Sequence, residues 1–162
     1  MSTLAESASA FVETAHRVVW AAVATVDPDG RPRSRVLHPI WEWDGESLVG
    51  WIGTGQTSVK ADALAGTPFV SVNYWDATQD VATAECAATW CTDIETRRKV
   101  WDMYVNAAPP LGYDPSVIPG WESAESDAFS VLRLDPYRLR AFPGTMLVEG
   151  TGVVHSWRSA EH

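Results

Sequence analysis

Residues 54–64, TGQTSVKADAL, gather Thr54, Gln56, Thr57, Ser58 and Lys60 before the chain turns apolar at Ala61, Ala63 and Leu64. A helix that opens this way offers hydroxyls, an amide, an ammonium and the free backbone N–H groups of its first turn. Thr57 or Ser58 can cap the helix, an ordinary structural role. The same groups can grip a phosphate, because a helix N-terminus carries partial positive charge and points N–H donors outward. Lys60 in the first turn opposes the helix dipole, and an anion in front of it removes the conflict. On this stretch alone, cap and phosphate site both stand.

A second stretch, RPRSRVLH (31–38), alternates in the manner of a strand. The two-residue period puts Arg33 and Arg35 on one face and Ser34, Val36 and His38 on the other. Two guanidinium groups side by side present planar forks for phosphate oxygens. A solvated face of paired charges has the same pattern. The chain has 12 basic residues, and three of them, Arg33, Arg35 and Lys60, fall in these two stretches.

The rest of the composition narrows the partners. A formal net charge of −9 and a pI near 4.7 argue against a nucleic-acid binder, which needs a basic face, and against docking on anionic membrane. No apolar run is long enough to span a bilayer. The N-terminal residues lack the basic start and apolar block of a signal peptide. Cys86 and Cys91 are too few for a disulfide framework and fit no common zinc spacing. A cytoplasmic protein is expected. The 162 residues suit one domain, 1–162, with a sizeable core.

These residues must be positioned by a small set of elements. Leu4, Ala8, Phe11, Val12 and Ala15 recur at helical spacing, which predicts a helix over 3–17. Strands follow at 17–26, 31–43 and 46–54, separated by the turns DPDG and DG, and predict an antiparallel meander. A short helix opens in TGQTSVKADAL and stops at Gly66 and Pro68. Two more strands, 69–75 and 80–90, flank DATQ. Thr92 and Glu95 form a capping-box pattern that begins a helix over 92–107. Residues 108–123 are a Pro- and Gly-rich loop, of the kind that covers something. One or two strands lie in 127–143, broken near Asp135-Pro136, and one or two more in 145–157. The expected class is mainly β (α+β): a six- to eight-stranded antiparallel barrel with a few short helices.

The arrangement Arg33-x-x-Val36-Leu37, then Thr54-x-x-x-Ser58-x-Lys60 before a short helix, then the apolar strand TPFVSVNYW, resembles the pyridoxamine 5′-phosphate oxidase-like, FMN-binding split β-barrel family. AVATVDPDGRPRSRVL looks like that family's first hairpin. The similarity runs over about residues 17–156 and is densest over 22–75. The resemblance implies a homodimer with cofactor sites between the chains. It implies that Arg33, Thr54, Ser58 and Lys60 hold the cofactor phosphate, with Arg35, Val36, Leu37, Trp51 and Thr57 also placed at the cofactor. Asn73 and Gln79 fall where family members contact the flavin ring. Arg140 and Phe142 fall where a late strand approaches the ring from the partner chain. Each of these later residues also reads as a cross-strand pair on a barrel wall. Val59 stands where pyridoxamine phosphate oxidases have a basic residue, His38 replaces a lysine, and their C-terminal substrate motif is absent. The pattern therefore points away from the vitamin B6 reaction and toward flavin- or deazaflavin-dependent reductases, using FMN or alternatively coenzyme F-420.

Such a cofactor carries the hydride or electron chemistry itself, so no catalytic triad is needed, and the catalytic residues stay unassigned. His16, His38, His155 and His162 show no metal-ligand spacing. Most of the nine tryptophans read as core, with a few left to line a flat ligand; Tyr113 and Trp121 of the long loop are candidates to lid the pocket. Two functions remain in view: an oxidoreductase acting on a small organic substrate, and a non-enzymatic protein that stores or senses a flavin or haem-like ligand. A ring-facing open pocket distinguishes the first.

Overall fold

The computed structural model describes residues 2–160, the side chain of Ser58 excepted; His162, named above, lies outside them. The chain opens with α1 (Leu4–Val18), capped by Thr3, whose side chain accepts from the Glu6 backbone while Glu6 reaches back to the Thr3 N–H. Its buried face, Ala8, Phe11 and Ala15, lies in the main core. Eight strands follow: β1 (Ala21–Val26), β2 (Pro32–Leu37), β3 (Pro39–Trp43), β4 (Leu48–Thr54), β5 (Phe69–Trp75), β6 (Val81–Cys91), β7 (Ser130–Phe142) and β8 (His155–Arg158). All pair antiparallel, in the order β2-β1-β5-β6-β7-β4-β3, with β8 added on β7. Helix α2 (Ser58–Gly66) joins β4 to β5, and α3 (Ile94–Asn106) follows β6. No helix of the described residues is long and apolar enough to cross a membrane.

The strand expected over 31–43 is two strands. β2 pairs with β1 from Leu37↔Ala21 outward, whereas β3 pairs with β4 from Pro39↔Ile52 onward. Pro39 has no N–H to give a ladder, so the ladder changes partner there. The two strands lie at opposite ends of the sheet order yet are joined through one residue, His38. The sheet must therefore curl until its ends meet, which gives the split-barrel shape without closing it. The expected three-strand meander does not form, because β5 is the second neighbour of β1.

Three other expectations are corrected. Residues 130–142 form one long strand, and the Asp135-Pro136 break is only a register shift opposite Glu85/Cys86 that leaves Tyr137 as the extra residue. The predicted strands of 145–157 are a short helix, α4 (Gly144–Val148), and β8 alone. The cap of α3 is Asp93, whose carboxylate accepts from the Thr96 N–H at 2.8 Å, and not Thr92.

Two apolar clusters fill the interior. The first joins Phe11, Trp41, Val72, Tyr74, Leu132 and Leu139. Phe11 meets Trp41 edge to face at 4.7 Å, and Trp41 Nε1 donates to the Tyr74 hydroxyl at 2.9 Å. The second, under α3, joins Ile40, Trp51, Val100, Tyr104, Trp121 and Phe129. Tyr104 ties this cluster to the strand break: its hydroxyl donates to the His38 carbonyl at 2.6 Å and accepts from the Gly53 N–H at 3.1 Å. Trp41, Trp51 and Trp121 are thus core, as most tryptophans were expected to be, but Trp20 is 60% exposed and Trp75 57%.

Candidate functional site

Strand β2 carries both arginines, and their partners differ. Arg33 sits opposite Thr25, beside the hairpin turn, and its Nε lies 3.1 Å from the Asp27 carboxylate. Asp27 also accepts from the N–H groups of Arg31 and Asp29, at 2.8 and 3.0 Å. The Arg31 backbone bond, and after it Arg33, hold the Asp27 carboxyl below the usual range. Arg33 therefore serves the turn. Arg35, opposite Val23, donates to Thr25 Oγ1 at 2.9 Å and meets no carboxylate.

Lys60, the third residue of α2, donates to Thr54 Oγ1. Burial pushes its ammonium below the usual lysine value, and the charge of Arg35 pushes it further; burial lowers Arg35 too. Seven basic residues of the described chain, Arg17, Arg31, Arg33, Arg98, Lys99, Arg133 and Arg138, have a carboxylate within ion-pair range. Arg35, Lys60, Arg97, Arg140 and Arg158 do not, and of these five Arg35 and Lys60 lie near enough for one charge to act on the other. In a chain of net charge −9, two cations face the same half-buried corner with no protein counter-ion. That arrangement is unfavourable alone and favourable around an anion.

The helix start adds to it. Thr57 occupies the N-cap position of α2, but its side chain makes no capping bond, and the first turn holds no acidic residue. The first-turn N–H groups of a helix find no partner within the helix itself. The side chain of Ser58 lies outside the described residues. Thr54 itself is buried at the end of β4.

Next to Thr54 opens a cavity of about 420 Å³. Its lining includes Val36, Leu37, His38 and Thr54, together with Trp20, Tyr113, Ile118 and Trp121. The 108–123 loop does cover this space, with Trp121 pinned by its Nε1 bond to the Ala128 carbonyl at 3.1 Å and by its edge contact with Phe129 at 4.9 Å. No charged residue lines it.

His38 belongs to this site and was legible in the sequence only as a departure from a motif. It is 7% exposed and ringed by aromatics: Tyr113 stacks on it at 5.1 Å, Tyr104 meets it edge-on at 5.1 Å, and Trp20 tilts over it at 5.2 Å. Burial pushes its pKa down to about 4, against an opposing effect of the Leu111 backbone, so the ring is neutral at pH 7. The clue in the sequence is the following Pro39, which marks a strand break at His38.

The remaining candidates are elsewhere. Trp51 is buried in the second cluster, where Nε1 donates to Glu42 at 2.5 Å and Lys99 lies 4.9 Å over the ring; it does not line the cavity. Asn73, Thr83 and Arg140 stand in register across β5, β6 and β7, and Asn73 Oδ1 accepts from Thr83 at 3.0 Å. Arg140 lies 5.5 Å over the Phe142 ring, and both line a separate cavity of about 270 Å³. Gln79, at φ +70°, accepts from Trp75 Nε1 at 3.1 Å. Within one chain the candidates thus form a cationic corner (Arg35, Thr54, Thr57, Lys60), an adjoining cavity (Val36, Leu37) and a distinct β5–β7 group.

No family model matches the sequence, and no curated protein sequence does. Solved structures match its fold. A protein from Clostridium acetobutylicum related to general stress protein 26, of the pyridoxinephosphate oxidase family, superposes with a TM-score of 0.68 at 11% identity, covering 92% of each chain. A pyridoxamine 5′-phosphate oxidase-related, FMN-binding protein from Nostoc punctiforme gives 0.60 at 19% identity over 88% of this chain and 87% of that one. A heme binding protein from Mycobacterium smegmatis gives 0.64 at 16% identity over 98% of this chain and 59% of that one.

Proposed function

We propose, from the fold that this chain shares with pyridoxamine 5′-phosphate oxidase-related, FMN-binding proteins, that it binds a phosphorylated flavin-type cofactor and reduces a small organic substrate with it. The observation that carries this reading is the pair of cations without a counter-ion: Arg35 and Lys60, both desolvated, beside Thr54 and the uncapped start of α2. A phosphate there neutralises the repulsion between them and takes the free N–H groups. Arg35 takes the part that motif position alone gave to Arg33. Val36 and Leu37 lead from this corner into the adjoining cavity, which gives a flat ring somewhere to lie.

The residues fit FMN, and they fit the deazaflavin F-420 through the same ribityl phosphate. Once bound, either ring supplies the hydride or electron transfer. The chain's own tasks are then binding, orientation and exclusion of water. An apolar cavity beside the corner, with room for a substrate, supports an enzyme over a storage or sensing protein. A homodimer, with Arg140 and Phe142 reaching the partner's cofactor, is part of the proposal; their separate open cavity supports it, and sedimentation of the purified protein tests it.

Titration with FMN, riboflavin and F-420, followed by absorbance, is the test. FMN or F-420 should bind with micromolar or better affinity. Lys60→Met should weaken FMN by about 10-fold or more, the effect of losing a charge-assisted bond, and leave riboflavin nearly unchanged. Equal loss for both removes the phosphate reading. A haem-like spectrum with no flavin binding favours the carrier instead. Reoxidation of the reduced cofactor by an added substrate under anaerobic conditions separates enzyme from carrier.

A further inference from the structure

One face of the sheet carries polar residues that the Arg35–Lys60 corner does not use, and strand pairing sets them in rows. Asn73, Thr83, Arg140 and Ser156 stand opposite one another across β5, β6, β7 and β8. Two residues along the strands, Trp75, Val81 and Phe142 make a second row. Residues opposite on a ladder, or two apart on a strand, share a face. A polar row and an apolar row thus lie side by side, about 7 Å apart along the strands. The alternate residues, Val72, Tyr74, Ala82, Ala84, Leu139 and Ala141, are buried in the core, so these rows face outward. Trp75 is 57% exposed, and Asn73 and Arg140 are exposed as well.

The charge of this face runs against that of the chain. Arg138 and Arg158, opposite each other on β7 and β8, share it with Arg140, and the carboxylate among them is Glu85, which Arg138 holds at 3.0 Å. Farther along, Asp135 is held by Arg133, and at the other end Asp76 and Asp80 are held by Arg17. Three arginines against one carboxylate leave the face positive in a chain of net charge −9. Arg140 lines both cavities of this face, one of about 270 Å³ with Val81, Thr83 and Phe142 and one of about 140 Å³ with Thr83 and Glu85, whereas Arg158 lines neither. The guanidinium carbon of Arg140 lies 5.5 Å from the centre of the Phe142 ring, so the free cation leans toward the apolar row. At the far end of that row the Trp75 indole is fixed by its Nε1 bond to Gln79 at 3.1 Å.

We infer that the two rows form a ligand site, and that it takes a flat, singly charged carboxylate, with the carboxylate on Arg140 and the conjugated or aromatic body along Phe142, Val81 and Trp75. A guanidinium fork matches two carboxylate oxygens, and nothing in the fold occupies this one. The single charge follows from the lining: Arg140 is the one free cation at these cavities, and Glu85 beside it repels a second negative charge. The flat body follows from the exposed rings of the apolar row, which offer area for stacking. The role of this ligand rests on the reading of the chain as a dimer whose Arg140 and Phe142 reach the partner's cofactor: the acid held here is then what that cofactor acts on. Arg140 is a substrate-binding residue in this site, with no proton or hydride transfer assigned to it.

Isothermal titration at pH 7 with three probes tests the proposal: 2-naphthoate, 2-naphthamide, which has the same shape without the charge, and cyclohexanecarboxylate, which has the charge without the flat ring. Each is titrated into FMN-loaded and FMN-free protein. The wild type should bind 2-naphthoate at least about 10-fold tighter than the amide, and tighter than the cyclohexane acid. Arg140→Gln, at an exposed position, should erase the advantage over the amide, while Arg158→Gln should change it by less than about threefold. Trp75→Ala should weaken both naphthalene probes and leave the cyclohexane acid nearly unchanged. Equal binding of naphthoate and amide by the wild type, or an advantage that survives Arg140→Gln, overturns the proposal. So does an advantage lost in Lys60→Met instead, which puts the acid in the corner beside α2. An Arg140→Gln protein that sediments as a monomer where the wild type is a dimer, with both naphthalene probes weakened equally, makes this face a subunit contact and also overturns it. A naphthoate preference in protein that fails to bind FMN sinks the cofactor reading and leaves the site standing; FMN binding without the preference does the reverse.

Discussion

Acidification should destabilise this protein well above the range where carboxylates protonate, and His38 sets the size of the effect. Its pKa is 6.5 in an unfolded chain and about 4 in the fold, because burial disfavours the charged ring. Between those values the unfolded chain binds the proton and the folded one does not, so stability is lost as pH falls through this window. From pH 7 to pH 5 the loss is about 2 kcal/mol, and its limit below pH 4 is about 3 kcal/mol. His16, also lowered by burial and accepting from the Trp41 N–H, adds in the same direction. Asp27, Asp44 and Asp93 are held below the usual range by backbone bonds, so their contributions fade only under about pH 4. Urea unfolding followed by tryptophan fluorescence reads the change. The midpoint should fall by roughly 1 M between pH 7 and pH 5. In His38→Asn, most of that pH dependence should vanish, leaving the His16 part. If wild type and variant lose the same stability over this window, His38 is not buried as a neutral ring.

Other consequences follow from single contacts. Arg35→Met should weaken FMN by about 10-fold or more, while Arg33→Met, which removes a partner of Asp27, should change it by less than about threefold; titration of both variants gives the comparison, and a larger loss at Arg33 reverses the assignment. Tyr104→Phe leaves the Gly53 N–H and the His38 carbonyl without their buried partner and should cost about 1–3 kcal/mol in denaturant unfolding. Asp93→Ala should cost about 1 kcal/mol and Thr92→Ala close to none, because Asp93 caps α3; equal losses would restore the capping box first expected at Thr92.

The sequence by itself determined the ingredients and their local geometry. Period-two alternation is a property of a few consecutive residues, so the shared face of Arg33 and Arg35 is legible from RPRSRVL. The same holds for the apolar stripe of α1, the turns, and the polar start of α2. Which arginine stays free was decided by pairing. The hairpin register sets Arg33 beside the turn, within reach of Asp27, and sets Arg35 where Lys60 arrives from an element 25 residues later. His38 shows the limit most clearly. A histidine before a proline marks a strand break, but its burial and its neutral ring exist only because the two ends of the sheet meet there and Tyr104, Tyr113 and Trp20 converge on it. Those contacts join residues up to 75 positions apart from His38, and desolvation by distant neighbours is a property that no local pattern encodes.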